Sequence, residues 1–109
     1  MNTLIGDIGN SLTKICLIDT KNFKIKKIIY IDSEKVNSYY YLKKNLKKII
    51  KNNIINKTAL FSSVVPKYRL ILGKFFKKNY KIRLIEIKEK KIKILINLRY
   101  FQALSQNII

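Results

Sequence analysis

The chain has 109 residues and 12.9 kDa, which is room for one small domain or part of a larger one. It is 48% hydrophobic, enough for a core. Its longest apolar runs, such as 28–31, fall far short of the about 20 residues of a membrane helix, and no secretory leader pattern opens it. A single cysteine and no histidine exclude an internal disulfide, a zinc site and a Ser-His or Cys-His nucleophile pair. The lone Cys16 suits a reducing cytoplasm, and the net charge of +18 favours anionic partners.

Residues 2–7 read as a buried strand that ends in an aspartate. Gly9-Asn10 signals a tight turn. Residues 12–19 form a second strand, with Thr13, Ile15 and Leu17 on one face and Leu12, Lys14, Cys16 and Ile18 on the other. A polar turn at 20–22 leads to a third strand, 24–31, which completes an antiparallel meander. After a break at Asp32-Ser33, the spacing predicts a helix over 38–51. Ser38 is its N-cap, and Tyr39, Leu42, Leu46, Ile49 and Ile50 form its inward stripe.

A short apolar strand follows at 58–62. Pro66 then starts a second helix, where its missing N–H costs nothing. That helix runs to about Asn79, with Tyr68, Ile71, Leu72, Phe75 and Phe76 inward and Gly73 in its interior. Residues 82–87 are another strand. The order β-β-β-α-β-α-β predicts an α/β fold, a mixed sheet with helices packed on it. It resembles the ribonuclease H-like fold, of which each half of an actin-like ATPase is built. Residues 1–90 are read as this domain, and 91–109 as the start of a connection to a second one. Within the latter, 91–97 alternates like a strand, and Phe101, Leu104 and Ile108 share a helical face.

The stretch that carries chemistry is Asp7-Ile8-Gly9-Asn10-Ser11-Leu12-Thr13-Lys14, directly after the first strand. An acidic group at a strand end can hold a hydrated Mg²⁺, which keeps most of its waters. Gly9 lets backbone approach a phosphate, and successive turn N–H groups can form an anion nest. Asn10 and Ser11 add donors. Lys14 returns on the next strand as a point charge for a phosphate. Asp-x-Gly-Asn between strands is also an ordinary hairpin turn, so the strand and helix order around it adds weight.

Ser62-Ser63-Val64-Val65-Pro66, between a strand and a helix, resembles the Ser-Val-Val-Pro signature of type III pantothenate kinases. That family also opens with a strand and Asp-[Ile/Val]-Gly-Asn-[Thr/Ser], which Asp7–Ser11 matches. It later carries a tyrosine at the spacing of Tyr100, 34 residues after Pro66. The resemblance covers most of this chain, but only the first two-fifths or so of a family member. It implies ATP-dependent phosphorylation of pantothenate, the first step towards coenzyme A, with Mg²⁺ and a monovalent cation (K⁺ or NH₄⁺). It also implies homodimers in the cytoplasm. By position, Asp7, Ile8, Gly9, Asn10, Ser11, Leu12, Thr13 and Lys14 would line the ATP phosphates. Asp7 would act near the metal, and Tyr100 would touch pantothenate.

The sequence also departs from the family. The family continues with Gly-x-Asp-Arg, whose aspartate is the general base, and this motif occurs nowhere here. No catalytic base is therefore assigned, and a truncated or frameshifted product, inactive alone, is the simplest expectation. The alternative is a small basic nucleic-acid-binding module. Against it, the 24 basic residues are 21 Lys and only 3 Arg, spread over every segment. Ile and Asn are inflated with Lys, so A/T-rich codons suffice to explain the charge. Neither nucleic acid nor membrane is an expected partner.

Overall fold

Alternation of side chains decides how the first three strands lie. The structure, a computed structural model, describes residues 1–88. Strands β1 (Asn2–Ile8), β2 (Leu12–Asp19) and β3 (Lys24–Asp32) form the meander. A 3-10 turn at Ser33–Lys35 leads to α1 (Tyr39–Ile50), then β4 (Thr58–Ser63), α2 (Pro66–Tyr80) and β5 (Arg83–Glu86). The sheet order is β3-β2-β1-β4-β5. β1 pairs antiparallel with β2 and parallel with β4, and β4 pairs parallel with β5. This mixed sheet with β1 at its centre is the ribonuclease H-like arrangement expected from the element order. The strand at 91–97, the helical face of Phe101, Leu104 and Ile108, and the boundary at residue 90 lie outside the described residues.

Both helices pack on one face of the sheet. Leu4 and Ile8 of β1, Ile15 and Leu17 of β2, and Ala59 and Phe61 of β4 meet Leu42, Leu46 and Ile49 of α1 and Leu72, Phe75 and Phe76 of α2. Ile5, Cys16 and Ile18 form a second buried cluster on the opposite face, with Ile25, Ile28 and Leu60 against it. The two faces of β2 divide as its alternation predicts. In β3 a register shift after Leu17 leaves Lys26 unpaired, so Ile25 joins Ile18 instead of following Ile29 and Ile31 to the helical face.

The helix ends follow their local chemistry. The Ser38 side chain accepts from the Tyr41 N–H and caps α1. Pro66 is the first residue of α2, which ends at Lys81 in the left-handed region. Tyr39 corrects the expected inward stripe. It stands at the first turn of α1, half exposed, with its ring 5.4 Å from that of Phe75 and its hydroxyl donating to Asn79. Tyr41 packs against the core instead, and its hydroxyl accepts the Asp32 N–H at 2.7 Å.

Two glycines differ in kind. A Cβ on Gly6 would fall inside the Phe61 ring, which lies over it from β4. A Cβ on Gly73 would make an ordinary 3.9 Å contact with Leu84. Gly6→Ala is therefore expected to destabilise by about 1–3 kcal/mol through overpacking. Gly73→Ala is expected to stabilise by up to about 1 kcal/mol through helix propensity. Urea unfolding of both variants checks the opposite signs.

Candidate functional site

The C-terminal ends of β1 and β4 lie side by side and in parallel. Their pairing sets Asp7 beside Ser62 and Ile8 beside Ser63. Asp7 is half-buried on the face that carries Ile5 and Cys16. The Ser62 hydroxyl, on a fully buried residue, donates to Asp7 Oδ1 at 2.8 Å. On the other side Asp7 is paired with Lys14 of β2, and Lys14 with Tyr30 of β3. The Lys14 ammonium stands 5.9 Å from the Tyr30 ring centroid. Across one face the order is thus Tyr30, Lys14, Asp7, Ser62. A cation and an oriented carboxylate stand next to each other at the sheet's central strand.

Two loops flank this row. The hairpin between β1 and β2 is closed by the Gly9 N–H donating to the Leu12 carbonyl at 3.0 Å. A Cβ on Gly9 would stand 2.8 Å from that same carbonyl oxygen. The hairpin's own closure therefore requires the glycine, whatever ligand approaches it. Asn10, Ser11 and Leu12 are exposed at the tip, and Thr13 turns inward, fully buried. Thr13 Oγ1 and Ser33 Oγ are 2.7 Å apart, and the Ser33 N–H donates to the Ser11 carbonyl at 3.0 Å. The 3-10 turn after β3 thus holds the hairpin from behind. The second loop joins β4 to α2. Its Val64 N–H donates to the Ile8 carbonyl, and Ser63 Oγ accepts from the Val65 N–H at 3.0 Å. It delivers the N-terminus of α2, with no acidic residue in the first turn, to the same end of the sheet.

The structure brings together Asp7 to Lys14 and the Ser62–Pro66 loop; Tyr100 lies outside the described residues. Sequence reasoning read Ser62 only as part of a signature and did not single out Ser33. A small hydroxyl closing an apolar strand was the signal for Ser62. Nothing local marked Ser33, because its role is to bridge 20 residues back to Thr13. Among the described residues no three His, Cys, Asp or Glu side chains cluster as a metal site. Asp7 is the carboxylate at this end of the sheet that could meet a magnesium ion, which binds through one or two carboxylates plus phosphates.

Cys16 adds no nucleophile. Burial pushes its thiol up to about 11, with the nearby Lys14 charge offsetting this in part.

A five-stranded mixed sheet of this order, with both helices on one face, is a ribonuclease H-like α/β arrangement. A sequence model of the type III pantothenate kinase family matches residues 3–105. A type III pantothenate kinase of Pelagibacter ubique (strain HTCC1062) is 44% identical over 96 residues, which cover 88% of this chain and 38% of that relative. Among solved structures, the activator of the 2-hydroxyisocaproyl-CoA dehydratase from Clostridium difficile with bound ADPNP aligns at 19% identity and a TM-score of 0.46. The alignment covers 79% of this chain and 29% of that one. The chain belongs to the type III pantothenate kinase family, and it spans under two-fifths of the length of the curated relative it matches.

Two expectations follow. Removing the Ser62 hydroxyl leaves Asp7 short of a charge-assisted hydrogen bond. Ser62→Ala is expected to cost about 1–2 kcal/mol, discounted because Asp7 is only half-buried. Asp7→Asn keeps an acceptor and should cost less; chemical denaturation compares them. The Cys16 thiol should resist an aromatic disulfide reagent at neutral pH and react once urea unfolds the chain. Between pH 9 and 11 the unfolded thiol releases its proton and the folded one keeps it, so stability falls as pH rises through that window.

Proposed function

We propose that this chain carries the phosphate-binding part of an ATP-dependent pantothenate kinase, at the first step of coenzyme A biosynthesis. The observation that carries the reading is the oriented carboxylate of Asp7, 2.8 Å from Ser62 Oγ, beside Lys14 and between the two loops. Ligands of open α/β sheets bind beyond the carboxyl ends of parallel strands, which is where this row lies.

In the proposed complex the triphosphate lies along the hairpin. The backbone N–H groups and side chains of Asn10 and Ser11 would donate to its oxygens, and Gly9 would let the backbone come close. Lys14 would neutralise one phosphoryl group, and Asp7, oriented by the Ser62 hydroxyl, would hold a hydrated Mg²⁺. The bound metal would supply charge neutralisation on the phosphates. Phosphoryl transfer is mostly positioning and charge stabilisation, so these residues contribute binding and orientation. Tyr100 would contact pantothenate. The general base belongs to the family's Gly-x-Asp-Arg motif, which this sequence lacks. A monovalent cation, a homodimer and a cytoplasmic location belong to the same proposal for the complete enzyme. Among the described residues no helix is long and apolar enough to cross a membrane.

General-base loss alone typically costs about 10²–10⁴-fold, so the 109-residue chain by itself is expected to show no measurable turnover in a coupled pantothenate assay. Binding is the sharper test. Asp7→Asn should weaken Mg·ATP by roughly tenfold or more, the worth of a charged contact. The same substitution should leave metal-free ATP unchanged or slightly tighter, because a negative charge next to the phosphates is gone. Equal Mg·ATP affinity in the two proteins would remove Asp7 from the site.

A further inference from the structure

Lysine is scattered over the whole chain, but arginine is not. Of the three arginines, Arg69 and Arg83 line one cavity of about 250 Å³ between α2 and β5. Lys74 and Lys77 line it too. Codon bias accounts for abundant lysine; it does not account for two scarce arginines lining one cleft. The cavity shares no lining residue with the Asp7–Lys14 hairpin.

Arg69, Gly73 and Lys77 are four residues apart along α2, so they form one stripe on the side that meets β5. Gly73 is the gap in that stripe. Neither backbone nor packing demands a glycine there, since its φ is not positive and an added Cβ would touch only Leu84 at 3.9 Å. Its structural consequence is an open floor between two cations. Arg83 enters from β5 across that floor. One carboxylate stands near. Glu86 Oε2 lies 2.6 Å from Arg69 Nε, yet Nε is buried without a directed hydrogen bond. Four cations against one poorly aimed carboxylate leave a local excess of positive charge. Lys77, in the last turn, also complements the helix dipole. Arg69 also ties α2 to β5 through Glu86, whereas Arg83 stands on the opposite wall of the cavity.

We infer that this cavity is a second anion site, which takes a small oligophosphate with two or more phosphoryl groups. Guanidinium forks match phosphate oxygens bidentately. The cations stand on two walls, Arg69, Lys74 and Lys77 on the helix and Arg83 on the strand, so linked phosphoryl groups satisfy both and a single phosphate does not.

The test is calorimetric titration of the 109-residue chain with sodium pyrophosphate, and separately with inorganic phosphate, at near-physiological salt. The expected result is saturable binding, tighter for pyrophosphate than for phosphate, that persists when the hairpin is disabled by Lys14→Ala. Arg83→Gln should weaken it roughly tenfold or more. Glu86→Gln should tighten it, because a competing anion is removed. Gly73→Leu should block it while keeping the native circular dichroism, since leucine is a good helix former and its side chain fills the floor. Lys44→Gln, exposed on α1, should change nothing. Three outcomes overturn the inference. Equal losses for Lys44→Gln and Arg83→Gln would mean a diffuse field. Loss in Lys14→Ala with Arg83→Gln unaffected would place the anion at the hairpin. An oligothymidylate that binds tighter than pyrophosphate and ignores Glu86→Gln would make the surface a nucleic-acid contact.

Discussion

The packing of the Phe61 ring over Gly6 sets everything at the site. β1 and β4 are parallel neighbours, and Gly6 is paired with Phe61. Only a residue without a Cβ leaves room for that ring on the helical face. The next pair along is then Asp7 with Ser62, on the opposite face, and their hydrogen bond follows from the register. A slip of one residue would turn Ser62 towards the helices and Phe61 towards Asp7. The apolar contact thus positions the polar one.

The sheet divides labour between its faces. One face takes both helices and most of the apolar burial, where Leu4, Ile8, Phe61, Leu46, Leu72 and Phe76 are fully buried. The other carries the row from Tyr30 to Ser62 at one end and the Ile5, Cys16 and Ile18 cluster beside it. The hairpin at the end of β1 belongs to neither layer. Its support comes from Ser33, which reaches it with one backbone and one side-chain hydrogen bond. A loop held from behind by a short turn keeps its tip exposed and its base fixed, which in the proposed complex would limit the ordering entropy lost on binding.

Charge has two scales in this molecule. The overall +18 draws anions to every surface and distinguishes none. Discrimination needs short-range geometry, a carboxylate and an ammonium paired across strands at one place, and guanidinium groups across a cleft at another. Exposed lysines on α1, such as Lys44, add to the first scale.

The amino-acid sequence by itself determined the element order, the faces of β2, the Pro66 start of α2 and the family signatures, because each rests on alternation, helical spacing or local backbone chemistry within a few residues. Asp7 and Lys14 were legible for the same reason: one hairpin holds both. Tertiary structure alone decided that Ser62 orients Asp7, that Ser33 braces the hairpin, and that Gly6 accommodates Phe61. It also seated Tyr39 at the rim and Tyr41 against the core, and moved Ile25 to the other face through the bulge at Lys26. These are meetings between residues far apart in the chain or shifts in strand register, and local periodicity carries no information about which strands become neighbours or where a ladder slips.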